Sequence, residues 1–272
     1  MAKDRMSYLL DDFRYYRRSL GVQFRAAASL RGAFLLQVFG MIVNNIAFLA
    51  AWIFLFVHFG SINGWTAAEL IGVQGINMIV FGLLMLTNTG LMDLPRHVDQ
   101  GSFDNFLTRP ISILGQISSS NIDVTAIGDI SLGVVLTAWY ILHARVGPSA
   151  LLLFGLALVA GCVLFWCFAL LLPNLLAFYM FDGERVSRYL SFVFLDGGLY
   201  PTGVLTGPLR TILLTVFPSL FIGAVQLDVL RGLHLWLVLL GVVIAVIWLR
   251  ISLWLFNRSL RRYESANLTG AR

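Results

Sequence analysis

The sequence predicts an all-α integral membrane protein: six transmembrane helices, an N-terminal amphipathic interfacial helix, and an outer re-entrant helical segment between spans five and six. Three observations carry this. Of 272 residues, 58% are hydrophobic and 12% charged, against about 45–50% and about 25% in soluble domains. Stretches without Asp, Glu, Lys or Arg recur at the length of about 20 residues that a bilayer crossing requires. Under the resulting division, 16 of the 19 basic residues fall on one side and only Arg145, Arg210 and Arg231 on the other, the asymmetry expected of a cytoplasmic face. Because both ends of the chain are basic, the number of spans is expected to be even.

The elements follow in order. Residues 1–31 are expected as a cytoplasmic amphipathic helix, since Met6, Leu9, Leu10, Phe13, Tyr16 and Leu20 recur at three- and four-residue steps while Arg5, Arg14, Arg17 and Arg18 lie largely off that stripe. Such a stripe fits anchoring on anionic lipid or contact with a cytoplasmic partner. Asp4, Asp11 and Asp12 interrupt it, so no secretory signal is expected there. The transmembrane domain is expected over 32–257, with span one at 34–59. Thr66-Ala67-Ala68-Glu69 fits a capping box that opens span two at 70–92. Residues 93–122 form the longest polar connection. Span three, 124–142, is interrupted by Asp129 near its start, and span four lies within 146–181, where Pro173-Asn174 signals a kink or a helix end. Span five, 189–205, contains Asp196, Gly197, Gly198 and Pro201, and span six covers 235–256. Between them, 205–230 is too apolar for a plain loop and is broken by Pro208, Arg210 and Pro218. It is expected as two short helical pieces dipping into the outer interface, which irregular backbone tolerates only under protein cover. Residues 258–272 remain as a cytoplasmic tail.

Several chemistries are excluded or poorly supported. Lys3 is the sole lysine, and a phosphate-binding G-x-x-x-x-G-K-[ST] loop, which needs its lysine on the β- and γ-phosphates, cannot be built around it. ATP hydrolysis must therefore reside on another chain. Cys162 and Cys167 are five residues apart on one expected helix and point about 140° apart, too far for a disulfide. His58, His143 and His234 are expected at the outer rim and His97 in the cytoplasmic loop; interfacial roles outweigh a metal site. Asp123 and Asp129, six residues apart, do not share a helical face and are expected to be solvated at the inner interface. No catalytic, metal-ligating or cofactor-binding set emerges.

Polar residues inside the spans are more informative. Gln37, Asn44 and Asn45 mark one stripe on span one, and Gln74, Asn77 and Asn88 mark another on span two. These amides either hydrogen-bond between helices or line a path or a dimer seam. Asp196 is either a buried functional carboxylate or a wet residue beyond the end of its helix.

In the loop 93–122, Pro95 can open a short helix at its first turn and Pro110 restrains Arg109 to extended geometry, so a short helix that stops within about four turns is expected. Val98, Phe103, Phe106 and Leu107 would offer apolar anchors, with Arg96, Asp99, Asp104 and Arg109 around them, a composition suited to docking in a partner's cleft. The run from Gly101 to Ser112 resembles the G-x-hydrophobic-D-x-x-L-x-R-P-hydrophobic-S signature of bacterial ABC-2 type permease components, with Phe106 where that family more often has leucine. Leu260-Arg261-Arg262-Tyr263-Glu264-Ser265-Ala266 resembles that family's basic, tyrosine-containing ending, and Tyr200-Pro201, Pro208-Leu209-Arg210 and Phe217-Pro218 resemble its proline-marked outer segment. The resemblance implies a permease subunit of an exporter, paired with a second permease, identical or paralogous, and with ABC ATP-binding subunits that hold ATP and Mg. It implies membrane lipids as surroundings, no nucleic acid, and the bacterial inner membrane as location. It also makes Arg96, Asp99, Phe103, Asp104, Phe106, Leu107 and Arg109 the expected ATPase-coupling loop. The rival class is a secondary transporter, which would show mid-membrane charges and repeat symmetry.

Overall fold

A computed structural model describes residues 5–60, 64–180, 183–199, 207–232 and 235–263, and every regular element among them is helical. The side chains of Met6 and Leu9, and Lys3, Tyr200, Pro201, His234 and the tail beyond Tyr263, lie outside what is described. Helix α1 (Arg5–Ser29) meets α2 (Arg31–Phe59) at the non-helical Leu30. Thr66 caps α3 (Ala67–Asn88): its side chain accepts from the Glu69 backbone N–H, while the Glu69 carboxylate accepts from the Thr66 N–H, so the expected capping box forms.

The loop that follows differs from expectation. In place of one helix it holds α4 (Leu94–Asp99), α5 (Asp104–Leu107) and α6 (Ile113–Ser118). The break falls at Gly101, whose φ of 69° is left-handed backbone that favours glycine. Pro95 does occupy the first turn of α4.

Helix α7 (Ala126–His143) packs tightly on α3 because glycines face both ways. A Cβ at Gly75 would stand 2.8 Å from the Thr137 backbone nitrogen, and one at Gly133 would stand 2.7 Å from the Gly75 carbonyl oxygen. Close backbone approach of this kind is how apolar helices associate in lipid. Helix α8 (Pro148–Phe165) passes into a π-helical stretch, Trp166–Leu171, and then a 3-10 stretch, Pro173–Phe178. The cause is Pro173, which has no N–H to give to the Ala169 carbonyl. Side chains take over the freed acceptors: Ser191 Oγ donates to the Ala169 oxygen at 2.6 Å, and Asn174 Nδ2 donates to the Leu170 oxygen at 2.6 Å. Cys162 and Cys167 are both free thiols.

Helix α9 (Gly183–Gly198) corresponds to expected span five but begins earlier and ends at Gly198, whose carbonyl accepts from Asn77 Nδ2. The segment 207–232 supplies α10 (Gly207–Thr215), a single 3-10 turn at Ser219–Ile222 and α11 (Ala224–Gly232). That turn lies deep: its Phe221 packs on Gly161 and Gly241, and Gly223 packs on Asn77. These contacts sit six to thirteen residues into their helices, about 9–20 Å in at ~1.5 Å per residue. Leu220, Phe221 and Ile222 are at most 2% exposed, and Gln226 Nε2 donates to the Phe221 carbonyl, so the irregular backbone is covered and satisfied by protein. From there α11 returns to the start of α3, where Arg231 pairs with Glu69 at 2.7 Å and lies over the Trp65 ring.

Helix α12 (Leu235–Leu260) closes the bundle. Among the described residues, five helical stretches are long and apolar enough to cross a membrane: Arg31–His58, Ala67–Asp99, Ala126–His143, Pro148–Phe178 and Leu235–Leu260. Helix α9 is shorter, at 16 residues, and carries Glu184, Arg185 and Arg188 in its first turns. The described chain begins and ends at one end of the bundle, where Tyr16 of α1 donates to the Thr87 carbonyl of α3 and Tyr263 packs on Phe103 at 4.7 Å.

Candidate translocation cavity and coupling loop

A cavity of about 300 Å³ opens between α2, α3, α7 and α9. The sequence places an amide or carboxylate on each wall: Asn44 and Asn45 on α2, Gln74 and Asn77 on α3, Asp129 on α7 and Asp196 on α9. Apolar residues fill the spaces between, among them Met41, Phe48, Met78, Phe81 and Phe192. Asp129 was expected to be solvated; instead it is 3% exposed and accepts from Asn45 Nδ2 at 2.6 Å. The reason is Gly128, which lets the α2 backbone approach so closely that a Cβ there would stand 2.7 Å from the Val38 carbonyl oxygen. Asp129 Oδ2, Gln74 Nε2 and Asn77 Oδ1 have no hydrogen-bond partner among the described residues.

Two expected lining residues stand elsewhere. Gln37 shares the face of Asn44 but lies seven residues, about 10 Å, nearer the start of α2, where it is exposed. Asn88 lies eleven residues past Asn77, at the α1 end, and donates to Thr87 Oγ1. Asp196 is exposed at the rim of the cavity, two residues before the end of α9, so its helix continues past it only briefly.

At the α1 end, the loop is bound into the bundle. Phe103 was expected as an anchor offered to a partner, yet it is fully buried and packs on Phe106, Phe178 and Tyr263 with ring centroids 6.1, 5.4 and 4.7 Å away. It ties the loop to the Pro173–Phe178 stretch and to the residues after α12. Burial, and then the Asp104 carboxyl beside it, push the Tyr263 phenol up to about 12. Phe106 is half-buried against His97. Leu107 is 47% exposed, and Arg96, Asp99 and Arg109 are exposed too. Arg109 donates to the Tyr15 hydroxyl of α1.

Helix α1 holds this loop through contacts its apolar stripe did not announce. Asp12 accepts from the Ser112 N–H, Ser19 Oγ donates to the Ser119 carbonyl, and Gln23 Nε2 donates to the Ser120 carbonyl. The signal was present as a second stripe, Asp12, Tyr16, Ser19 and Gln23, at three- and four-residue spacing. Leu10 and Phe13 of the apolar stripe remain exposed at 49% and 64%. Gln116, also missed, is buried and donates to the Phe106 and Ile111 carbonyls. Of the histidines, His58 stacks on Phe54 and His143 on Trp139.

A bundle of apolar helices around a polar cavity defines a multi-pass membrane protein with a site between its spans. A family description, ABC-2 family transporter protein, matches residues 41–267. The chain belongs to this family and is a membrane component of an ABC transporter. No curated protein and no solved structure matches it.

Proposed function

We propose that the chain is the permease subunit of an ATP-driven exporter in the bacterial inner membrane, forming the translocation path with a second permease and powered by separate ATP-binding subunits that carry ATP and Mg. The observation that carries this is the cavity between α2, α3, α7 and α9, into whose largely apolar walls the chain sets Asn44, Asn45, Gln74, Asn77, Asp129 and Asp196. Six spans complete the path, with α9 in the fifth crossing and both ends of the chain in the cytoplasm. The arginine asymmetry supports that orientation.

The second permease covers α2. Only 6% of the most apolar window of this helix is buried within the chain, and it carries the exposed amides Gln37 and Asn44, which hydrocarbon cannot satisfy. The coupling element is the loop 93–122, whose exposed Leu107, Arg96 and Asp99 receive the ATPase and whose Phe103, with Phe106 and Asp104 beside it, transmits its movement to the bundle. Arg109 links the same loop to α1. Purification of the chain from its native membrane tests the reading: an ATP-binding subunit should accompany it, and hydrolysis should require both. A lone chain that moved substrate down an ion gradient would favour a secondary transporter, for which Asp129 would be the natural ion site.

A further inference from the structure

The cavity has a chemical bias that points to its substrate. Two of its polar residues are carboxylates, Asp129 and Asp196, and among the described residues no Lys, Arg or His lines it. Asp129 is 3% exposed, and while Asn45 donates to its Oδ1, its Oδ2 has no partner among the described residues. An isolated buried carboxylate is costly unless a cation or further donors meet it. Gln74, 1% exposed, adds one donor, Nε2, without a partner among the described residues. Met41, Phe48, Met78 and Phe81 complete the wall with apolar surface.

We infer that the cavity binds an amphipathic cation, an ammonium group attached to an apolar body. The ammonium pairs with the Asp129 carboxylate, the aromatic and methionine side chains take the body, and Gln74 donates to any hydroxyl or carbonyl the molecule carries. Asp196 at the rim adds negative charge on the way in. An anionic substrate would meet two carboxylates and no compensating charge. This inference rests on the permease reading, because it names the cargo of that same cavity.

The test uses phenylbutylamine, phenylbutanol and phenylbutanoate, which share one apolar body and differ in charge. Binding is measured by calorimetry to the chain, with whatever ATPase co-purifies, in lipid nanodiscs. The amine should bind about tenfold or more tightly than the alcohol, the range of a hydrogen bond to a charged group, and the acid should bind weakest. Asp129→Asn should abolish the preference of amine over alcohol, while Asp123→Asn, outside the cavity, should leave it intact. Should Asp129→Asn fail to fold, Asp196→Asn should still reduce the preference, because Asp196 is exposed at the rim of the cavity. Equal binding of amine and alcohol by the unaltered protein, or an undiminished preference in Asp129→Asn, overturns the inference. If ATP-dependent movement of the alcohol persisted beside such equal binding, the permease reading would stand and the cationic cargo alone would fall.

Discussion

Phe103 and Leu107 lie four residues apart in one loop and do opposite things. Phe103 is fully buried among three aromatic rings, so Phe103→Ala should cost about 3–5 kcal/mol, as removal of a core aromatic does, and lower the thermal unfolding temperature in detergent sharply. Leu107 is 47% exposed; Leu107→Ala should leave that temperature nearly unchanged while reducing substrate-stimulated ATP hydrolysis by the complex. The reverse pattern would move the docking surface off α5. Ser191 makes a similarly specific claim. Its hydroxyl replaces the N–H that Pro173 lacks, so Ser191→Ala should cost about 1–2 kcal/mol, and Pro173→Ala in the same chain should shrink that cost by giving Ala169 back a backbone donor. An unchanged cost in the double variant would show that the serine does something else.

Elements were legible where apolar runs and caps coincide. The runs at 34–59, 70–92, 124–142 and 235–256 all became helices because nothing within them stops a helix, and Thr66 with Glu69 marked a start that forms as written. The coupling loop was only half legible. Pro95 and Pro110 bounded it, but Gly101 splits it, and periodicity does not register a single left-handed residue. Nor could spacing show that Phe103 turns inward, since its partners, Phe178 and Tyr263, are distant in sequence. Asp129 was misread for the same reason: its burial comes from α2 resting on Gly128, a contact between helices far apart in the chain. Glycine contacts of this kind hold the cavity's walls. Gly75→Leu should therefore separate α3 from α7 and abolish stable folding, whereas Gly155→Leu, with open space around it, should be tolerated. Native-like size-exclusion behaviour of Gly75→Leu would contradict the packing.

For the whole molecule, both described ends share one face, α1 straps the loop to that face, and the polar cavity sits in the bundle above it. Under the proposed coupling, movement of the loop would reach the cavity's walls through α3 and the Pro173–Phe178 stretch. The α2 surface should meet the second permease, so cysteines at Gln37 or Phe39 should crosslink between subunits more readily than one at Leu152 on the exposed face of α8. Equal yields would remove α2 from the seam. The central claim is that this chain forms a path and another chain supplies the energy. It is tested most directly by measuring ATP hydrolysis and substrate movement in proteoliposomes that hold the chain alone, its co-purifying ATP-binding subunit alone, or both. Movement that requires both subunits and ATP is the expected result; movement by the chain alone, driven by an ion gradient and indifferent to ATP, would contradict it.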